Sequence, residues 1–216
     1  TFQAFQRMQR VNVALQELKT GRSTTEVAFD NGYGSLSGFG YTCKKLTGSS
    51  PGTRKEIILI HRFTTPPGPI FVCATERGVC LLEFVDRRAL ETEFRDLQHL
   101  FNANIIAGEN AHTHQAEKEM GEYFAGVRQS FDVALDTTGS EVQRRVWEGL
   151  QGISFGDTAH YQVLATESGK PTAVRAVDSA NGANRVAHVN PCQRMMGKDG
   201  SRTGEGGGGG REERGA

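Results

Sequence analysis

Residues 69–86, PIFVCATERGVCLLEFVD, hold two runs too apolar to leave in water, with a charged, glycine-bearing break between them. Each run has strand length, so IFVCAT and VCLLEFV read as a hairpin turning at Glu76–Gly78. A lone hairpin is only marginally stable in water, so other elements must cover it. Helical periodicity follows it in ALETEFRDLQHLF and in AEKEMGEYFAG, the second ended by Gly126, and SFDVALD alternates like a further strand. The fold class is therefore α+β, with a sheet in the middle of the chain and helices around it.

Both ends of the chain are helical in pattern. Phe2, Phe5, Met8, Val11, Leu15 and Leu18 recur at spacings of three and four, which predicts an amphipathic helix that Gly21 ends. Ser23 or Thr24 then caps a short helix through Phe29, with Glu26 in capping-box position relative to Ser23. Asn31–Gly32 breaks it, and Ser35 or Ser37 caps another helix running to about Leu46, stopped by Gly48 and Pro51. Two short helices joined by a glycine-bearing turn make a helix-turn-helix pattern. In the C-terminal part, SEVQRRVWEGLQGI places Val142, Val146, Trp147 and Leu150 on one helical face. DTAHYQVLATE, a turn at SGKP, and TAVRAVDSANG give a second helix-turn-helix pattern, after which VAHVNPC reads as a strand ending at Cys192.

Charge divides the chain. Residues 1–62 carry nine Lys/Arg against four Asp/Glu, residues 63–136 six against twelve, and the whole chain is neutral. A basic front segment before an acidic middle suggests separate modules, the first able to face a polyanion. Pro66, Pro67, Gly68 and Pro69 read as the linker between them. Four divisions result: 1–62, 63–136, 137–201, and a tail at 202–216. From Gly197 to Gly215 the chain has no apolar side chain, and nine of its last twenty residues are glycine, so the tail reads as disordered. The glycines are no phosphate loop, since GEGGGGG follows no strand and lacks a GK[ST] ending. The chain opens on Thr1 inside what reads as structured sequence, so an earlier segment is expected.

Cys43, Cys73, Cys80 and Cys192 are scattered without zinc-ligand spacing, which points to a reducing, cytoplasmic setting and no metal centre. Cys73 and Cys80 fall on adjacent strands and are expected in the core. His112 and His114 alternate in what reads as a polar loop of solvated histidines. No apolar run approaches the roughly 18 residues of a membrane span, and no membrane partner is expected. Cys192 is different. Pro191 stiffens the backbone before it, so its sulfur has a defined direction, either as a buried structural thiol or as a presented nucleophile.

The segments GSEVQRRVWEGLQGISFGDT, HYQVLATESGKPTAVRAVDSANGANRV and NPCQRMMGKDGS together resemble the methylated-DNA–protein-cysteine methyltransferases, which remove alkyl groups from O6-alkylguanine. The resemblance runs from about residue 139 to 201, and the segment from Phe63 resembles that family's N-terminal half. Residues 1–62, ending in KKLTGSSPG, resemble the second half of an AraC-type DNA-binding domain. The order is that of Ada-type proteins, which pair repair with transcriptional control. The resemblance implies a partial all-α helix-turn-helix segment, then a small ribonuclease-H-like α/β half, then a helical, winged-helix-like methyltransferase domain. It also implies a monomer in the bacterial cytoplasm that needs no cofactor. Its partners would be double-stranded DNA containing O6-alkylguanine, and promoter DNA.

The same resemblance assigns roles. Cys192 matches the methyl acceptor, and Asn184 the asparagine whose side chain holds the active-site turns together. Tyr161 matches the tyrosine that crowds the target's phosphate. Arg175 matches the arginine that fills the space of the extruded base, with Ala173, Ala176 and Ala180 as small neighbours that let its helix lie close to the minor groove. Extrusion is required because a base inside the duplex cannot reach a thiol. Lys44 and Lys45 could touch phosphates, which positions a domain without reading sequence. Gly40 and Tyr41 occupy the exposed turn of the same helix, and Cys43 stands where a core phenylalanine is usual. Arg194 is a cation able to contact DNA and to favour the thiolate.

Two departures bear on chemistry. The family's histidine after the cysteine is Gln193 here, and an amide accepts no proton at neutral pH. The family's glutamate helix would lie beyond Gly208, where GGREERGA ends the chain without aligning Glu212 or Glu213 to it, and Glu205 replaces the tyrosine of the glycine-rich segment. The expected function is irreversible alkyl transfer to Cys192, slow or absent for want of a base. The alternatives are a DNA- or lesion-binding protein without transfer, and a degenerate fragment.

Overall fold

The computed structural model describes residues 2–47, 50–51, 55–167 and 174–197. The readings at Gly48, the SGKP turn, Ala173, Glu205, Glu212, Glu213 and the tail lie outside these residues, and those at Phe2, Phe5 and Met8 concern side chains outside the description.

Three helices open the chain: α1 (Phe2–Lys19), α2 (Thr24–Asp30) and α3 (Leu36–Thr47). Gly21, at φ 88°, takes the left-handed turn after α1 that a side chain would resist. Ser23 caps α2 and Glu26 completes the capping box, while Ser35 Oγ accepts from the Gly38 amide at the start of α3.

β1 (Glu56–Thr65), β2 (Gly68–Ala74), β3 (Val79–Phe84) and β4 (Ala103–Ala107) form one sheet in the order β3-β2-β1-β4. β1 runs antiparallel to β2 and parallel to β4. The expected linker is therefore corrected. Thr65 pairs with Gly68, so Pro66–Pro67 is a two-residue hairpin turn, where missing amide donors cost nothing. The boundary between 62 and 63 falls inside β1, whose outward face opens the sheet to the front helices.

Alternation along the strands divides the core. Phe63, Ile70, Val72, Leu82 and Phe84 meet Ala116 and Met120 of α5 (Ala111–Phe124). Ile58, Cys73, Cys80 and Leu81 meet Leu90 and Leu97 of α4 (Leu90–Leu100) on the other side. His112 and His114 thus sit in the first turns of α5, not in a loop: His112 Nε2 lies 3.1 Å from the Glu76 carbonyl and His114 Nε2 2.7 Å from Glu109 Oε2. SFDVALD forms no strand; its only pairing is a bridge between Leu135 and Val79, on the edge of β3 that faces away from β2.

The remainder packs around Trp147. α6 (Glu141–Gln151), capped by Ser140 with Gln143, buries Val146, Trp147 and Leu150 against α7 (Tyr161–Glu167) and α8 (Val174–Gly182). Trp147 Nε1 donates to the Ala180 carbonyl over 2.9 Å, locking α6 to α8. Two short strands, β5 (Ala159–His160) and β6 (Met195–Met196), pair in parallel and close this unit. Among the described residues no helix is long and apolar enough to cross a membrane.

Candidate active site

The segment from Asn184 to Arg194 is irregular, and side-chain amides do the work that a ladder would do elsewhere. Asn184, 1% exposed, donates from Nδ2 to the Asn190 carbonyl at 2.8 Å and accepts on Oδ1 from the Val186 amide at 3.1 Å. Asn190 is fully buried, and Gln151 Nε2 at the end of α6 donates to its Oδ1 over 2.7 Å. A buried amide with all these partners rigidifies its surroundings, whereas a missing one would cost about 1–3 kcal/mol. The expected strand before the cysteine is absent; only Val186 bridges to Leu82. Extended pairing stops there because Asn184 and Asn190 turn the chain onto itself.

Cys192 opens a single 3₁₀ turn, Cys192–Arg194, its amide donating to the Asn190 carbonyl at 2.7 Å. Its environment differs from that of the other thiols. Cys43, Cys73 and Cys80 are buried. Burial pushes Cys43 up to about 11 and Cys80 up to about 12, and holds Cys73 well above the ordinary thiol value, the carboxylates facing the last two adding to it. Those three thiols are inert at neutral pH. Cys192 alone of the four is partly open to solvent.

Gln193 is 2% exposed and neither end of its amide has a hydrogen-bond partner. It holds no charge and takes no proton, so the residue after the nucleophile is a buried amide where a base was looked for.

Arg175 and Ala176 lie on the exposed face of α8, while Val177 and Ala180 face the core. The structure moves two other expected residues inward. Tyr161 is 4% exposed and its hydroxyl accepts from Asn181 Nδ2 at 3.1 Å, so it packs the α7–α8 core and presents little to a phosphate. Arg194 is 5% exposed; Nη1 donates to the Ile153 carbonyl at 2.7 Å and the guanidinium lies 5.4 Å from the Phe155 ring centre. It is a buried strut between the cysteine turn and the Ile153–Phe155 loop. In the front unit, Lys44 and Lys45 are exposed in the last turn of α3, Tyr41 is exposed near Lys45, and Cys43 is buried with Phe39.

Sequence reasoning missed Gln151, Asn190 and Arg185. Asn190 carried a signal, a polar residue just before a proline at the end of an apolar run; Gln151 carried none, since its partner lies 39 residues away.

The family described as 6-O-methylguanine DNA methyltransferase, DNA binding domain, matches residues 141–215, and a helix-turn-helix domain matches residues 1–56. A methylated-DNA–protein-cysteine methyltransferase of Mycolicibacterium paratuberculosis is 50% identical over 43% of this chain, a stretch that spans about half, 56%, of that relative. The methyltransferase of Methanosarcina barkeri is 33% identical over 65% of this chain and 83% of its own length, and that of Salmonella typhimurium 36% identical over 72% and 92%. The crystal structure of Mycobacterium tuberculosis O6-methylguanine methyltransferase matches with a TM-score of 0.60 at 30% identity, covering 72% of this chain and 88% of that one. The structure of the same organism's protein in complex with DNA matches at 0.59. The identity to relatives matched over most of their length, and the shared α+β body, decide the matter: the chain belongs to the methylated-DNA–protein-cysteine methyltransferases.

Proposed function

We propose that the chain binds duplex DNA through α8 and transfers the alkyl group of an O6-alkylguanine to Cys192. The observation that carries this reading is the contrast among the thiols: three are buried, and the fourth stands partly open on a turn fixed by Asn184, Asn190 and Gln151. In the step, the Sγ–C bond forms as the O6–C bond breaks, the thiol proton goes to solvent, and the guanine regains one at N1. No electron carrier or metal enters the balance. The cysteine ends as a thioether, so each molecule turns over once. Arg175, exposed on α8, would fill the gap left by the extruded base, and Lys44 and Lys45 on α3 would contact phosphates of promoter DNA.

A second reading rests on Gln193. With a buried amide after the cysteine, nothing at that position takes the thiol proton, and loss of a positioned base typically costs about 10²–10⁴ in rate. The chain would then bind the lesion and transfer slowly or not at all.

Mass spectrometry after incubation with an O6-methylguanine duplex separates the two. We expect slow gain of one methyl on the Cys192 peptide, absent in Cys192→Ala, and gain about 10²-fold faster in Gln193→His. No methyl gain at all, with tighter binding to the methylated duplex than to plain DNA, would replace transfer by lesion binding. Neither gain nor binding would overturn both.

A further inference from the structure

Among the residues that fasten the turn carrying Cys192 to the rest of the molecule, Arg185 reaches both β3 and α4. The Arg185 carbonyl accepts from the Leu82 amide in β3 at 2.7 Å, and its Nη2 lies 3.2 Å from Asp96 Oδ2 on α4. Arg185 thus spans 89 residues of sequence to reach Asp96, while its neighbours on either side are already committed: Asn184 to the Asn190 carbonyl, and Val186 to Leu82.

The electrostatics favour this crossing. α4 turns Glu93 and Asp96 toward the junction, and Glu93 is 7% exposed. Burial pushes the Glu93 carboxyl up, while Arg87 and Arg185 pull it back toward the ionised form. Arg87 is already engaged by Glu83 and lies 3.2 Å from Glu93. Arg185 is therefore the cation that the C-terminal unit supplies to Glu93 and Asp96 of α4; its side chain is 15% exposed and that of Asp96 48%. From Asp96 a continuous path leads through Arg185 to Asn184, then to the Asn190 carbonyl, which also holds the Cys192 amide.

We propose that Arg185 is a positioning residue for alkyl transfer: by joining α4 and β3 to the turn bound by Asn184, it fixes where the Cys192 sulfur stands relative to an extruded base. The N-terminal half, which carries none of the residues that would touch DNA at the lesion, then acts on the reaction in part through this side chain. The inference rests on Cys192 as the alkyl acceptor. A residue serving only as glue between halves would stabilise the junction and leave the cysteine turn unaffected.

The test uses the full chain, with Arg185→Ala, Arg185→Lys and the reversed pair Arg185→Asp with Asp96→Arg. Hydrogen exchange is read at the Leu82, Val186 and Cys192 amides, and single-turnover methyl transfer is measured beside duplex affinity. In Arg185→Ala we expect exchange at Val186 and Cys192 to rise about fivefold and transfer to slow by a similar factor, as for loss of a moderately strong ion pair. Duplex affinity should hold, since α8 is untouched, and Arg185→Lys or the reversed pair should recover part of the rate. Should Arg185→Ala fail to fold, Asp96→Asn removes the same pair from a half-exposed position. Faster exchange at Leu82 with none at Cys192 would overturn the proposal, as would a duplex affinity that falls in step with the rate. If the native chain transfers no methyl, the transfer reading has failed, while the exchange arm still decides whether Arg185 holds the cysteine turn.

Discussion

His188 occupies a left-handed backbone position, φ 69°, inside a ring of aromatic edges from Phe84, Tyr123 and Phe124. It is 3% exposed, and burial lowers its pKa to about 4, the nearby Arg194 charge adding to the shift. The sign follows directly. The unfolded histidine, with an ordinary value near 6.5, binds a proton that the folded one refuses, so stability is whole above about pH 6.5 and is lost as pH falls toward 4. By pH 4 the loss from this group alone is about 3 kcal/mol. His188→Asn tolerates the same backbone and removes the ionisation. Its urea stability should start lower, from lost ring packing, but fall less between pH 7.5 and pH 4 than that of the native chain, by about 3 kcal/mol. Parallel slopes for the two proteins would mean that His188 protonates freely in the fold. The neutral ring also explains why this histidine, four residues before Cys192, does not take the place of a base: it is packed among phenyl edges and held neutral at working pH.

Among elements, the hairpin β2–β3, helices α4 to α8 and the cap of α2 were legible because each carries its own periodicity or cap within a few residues. β1 and β4 were not. ANIIA is too short for a periodicity, and EIILIHRFTT ends in prolines whose composition is the same in a linker as in a hairpin turn. Only the pairing of Thr65 with Gly68 decides between them, and pairing is not a local property. SFDVALD has the alternation of a strand, yet along the open edge of β3 it makes only the Leu135–Val79 bridge. In the site, the motif named Cys192, Asn184 and Arg175 as candidates; the burial of Tyr161 and Arg194, and the bonds of Gln151 and Arg185, depend on elements distant in sequence. One such dependence can be measured at the β2–β3 turn. A Cβ on Gly78 would stand 2.6 Å from the Ala134 carbonyl oxygen and 2.8 Å from the Leu135 carbonyl carbon, both backbone atoms that cannot rotate away. Gly78→Ala should therefore push the segment before α6 off β3, break the Val79–Leu135 bridge and cost about 1–3 kcal/mol in denaturant unfolding. A stability within about 0.5 kcal/mol of the native chain would show that the contact yields without strain.

At the scale of the molecule, the helix-turn-helix unit is docked rather than tethered. Val11, Ala14 and Leu15 of α1, Val27 and Ala28 of α2, and Phe39 and Cys43 of α3 share one core with Ile57 of β1 and Ile106 of β4. Asn12 of α1 adds a hydrogen bond to the Ala107 carbonyl, and Lys19 an ion pair with Glu76 at 3.0 Å that is too exposed to contribute much. Three helices by themselves enclose little apolar surface, and the sheet supplies the missing side of their core. The charge contrast between the basic front and the acidic middle suggested separable modules, yet a net charge says nothing of which apolar faces need covering. A shared core implies shared unfolding. Ile106→Ala empties the centre of that core and should cost about 2–5 kcal/mol. Because the cavity belongs to both units, hydrogen exchange should show α1 and α2 losing protection together with β1 and β4, at the same free energy. Trp147 lies in the separate core of α6–α8, so its fluorescence should report the loss only through global unfolding. If α1–α3 instead lose protection by themselves while β1 and β4 keep theirs, the front unit is a module resting on the sheet, and DNA bound by α3 would leave the Cys192 half mechanically undisturbed.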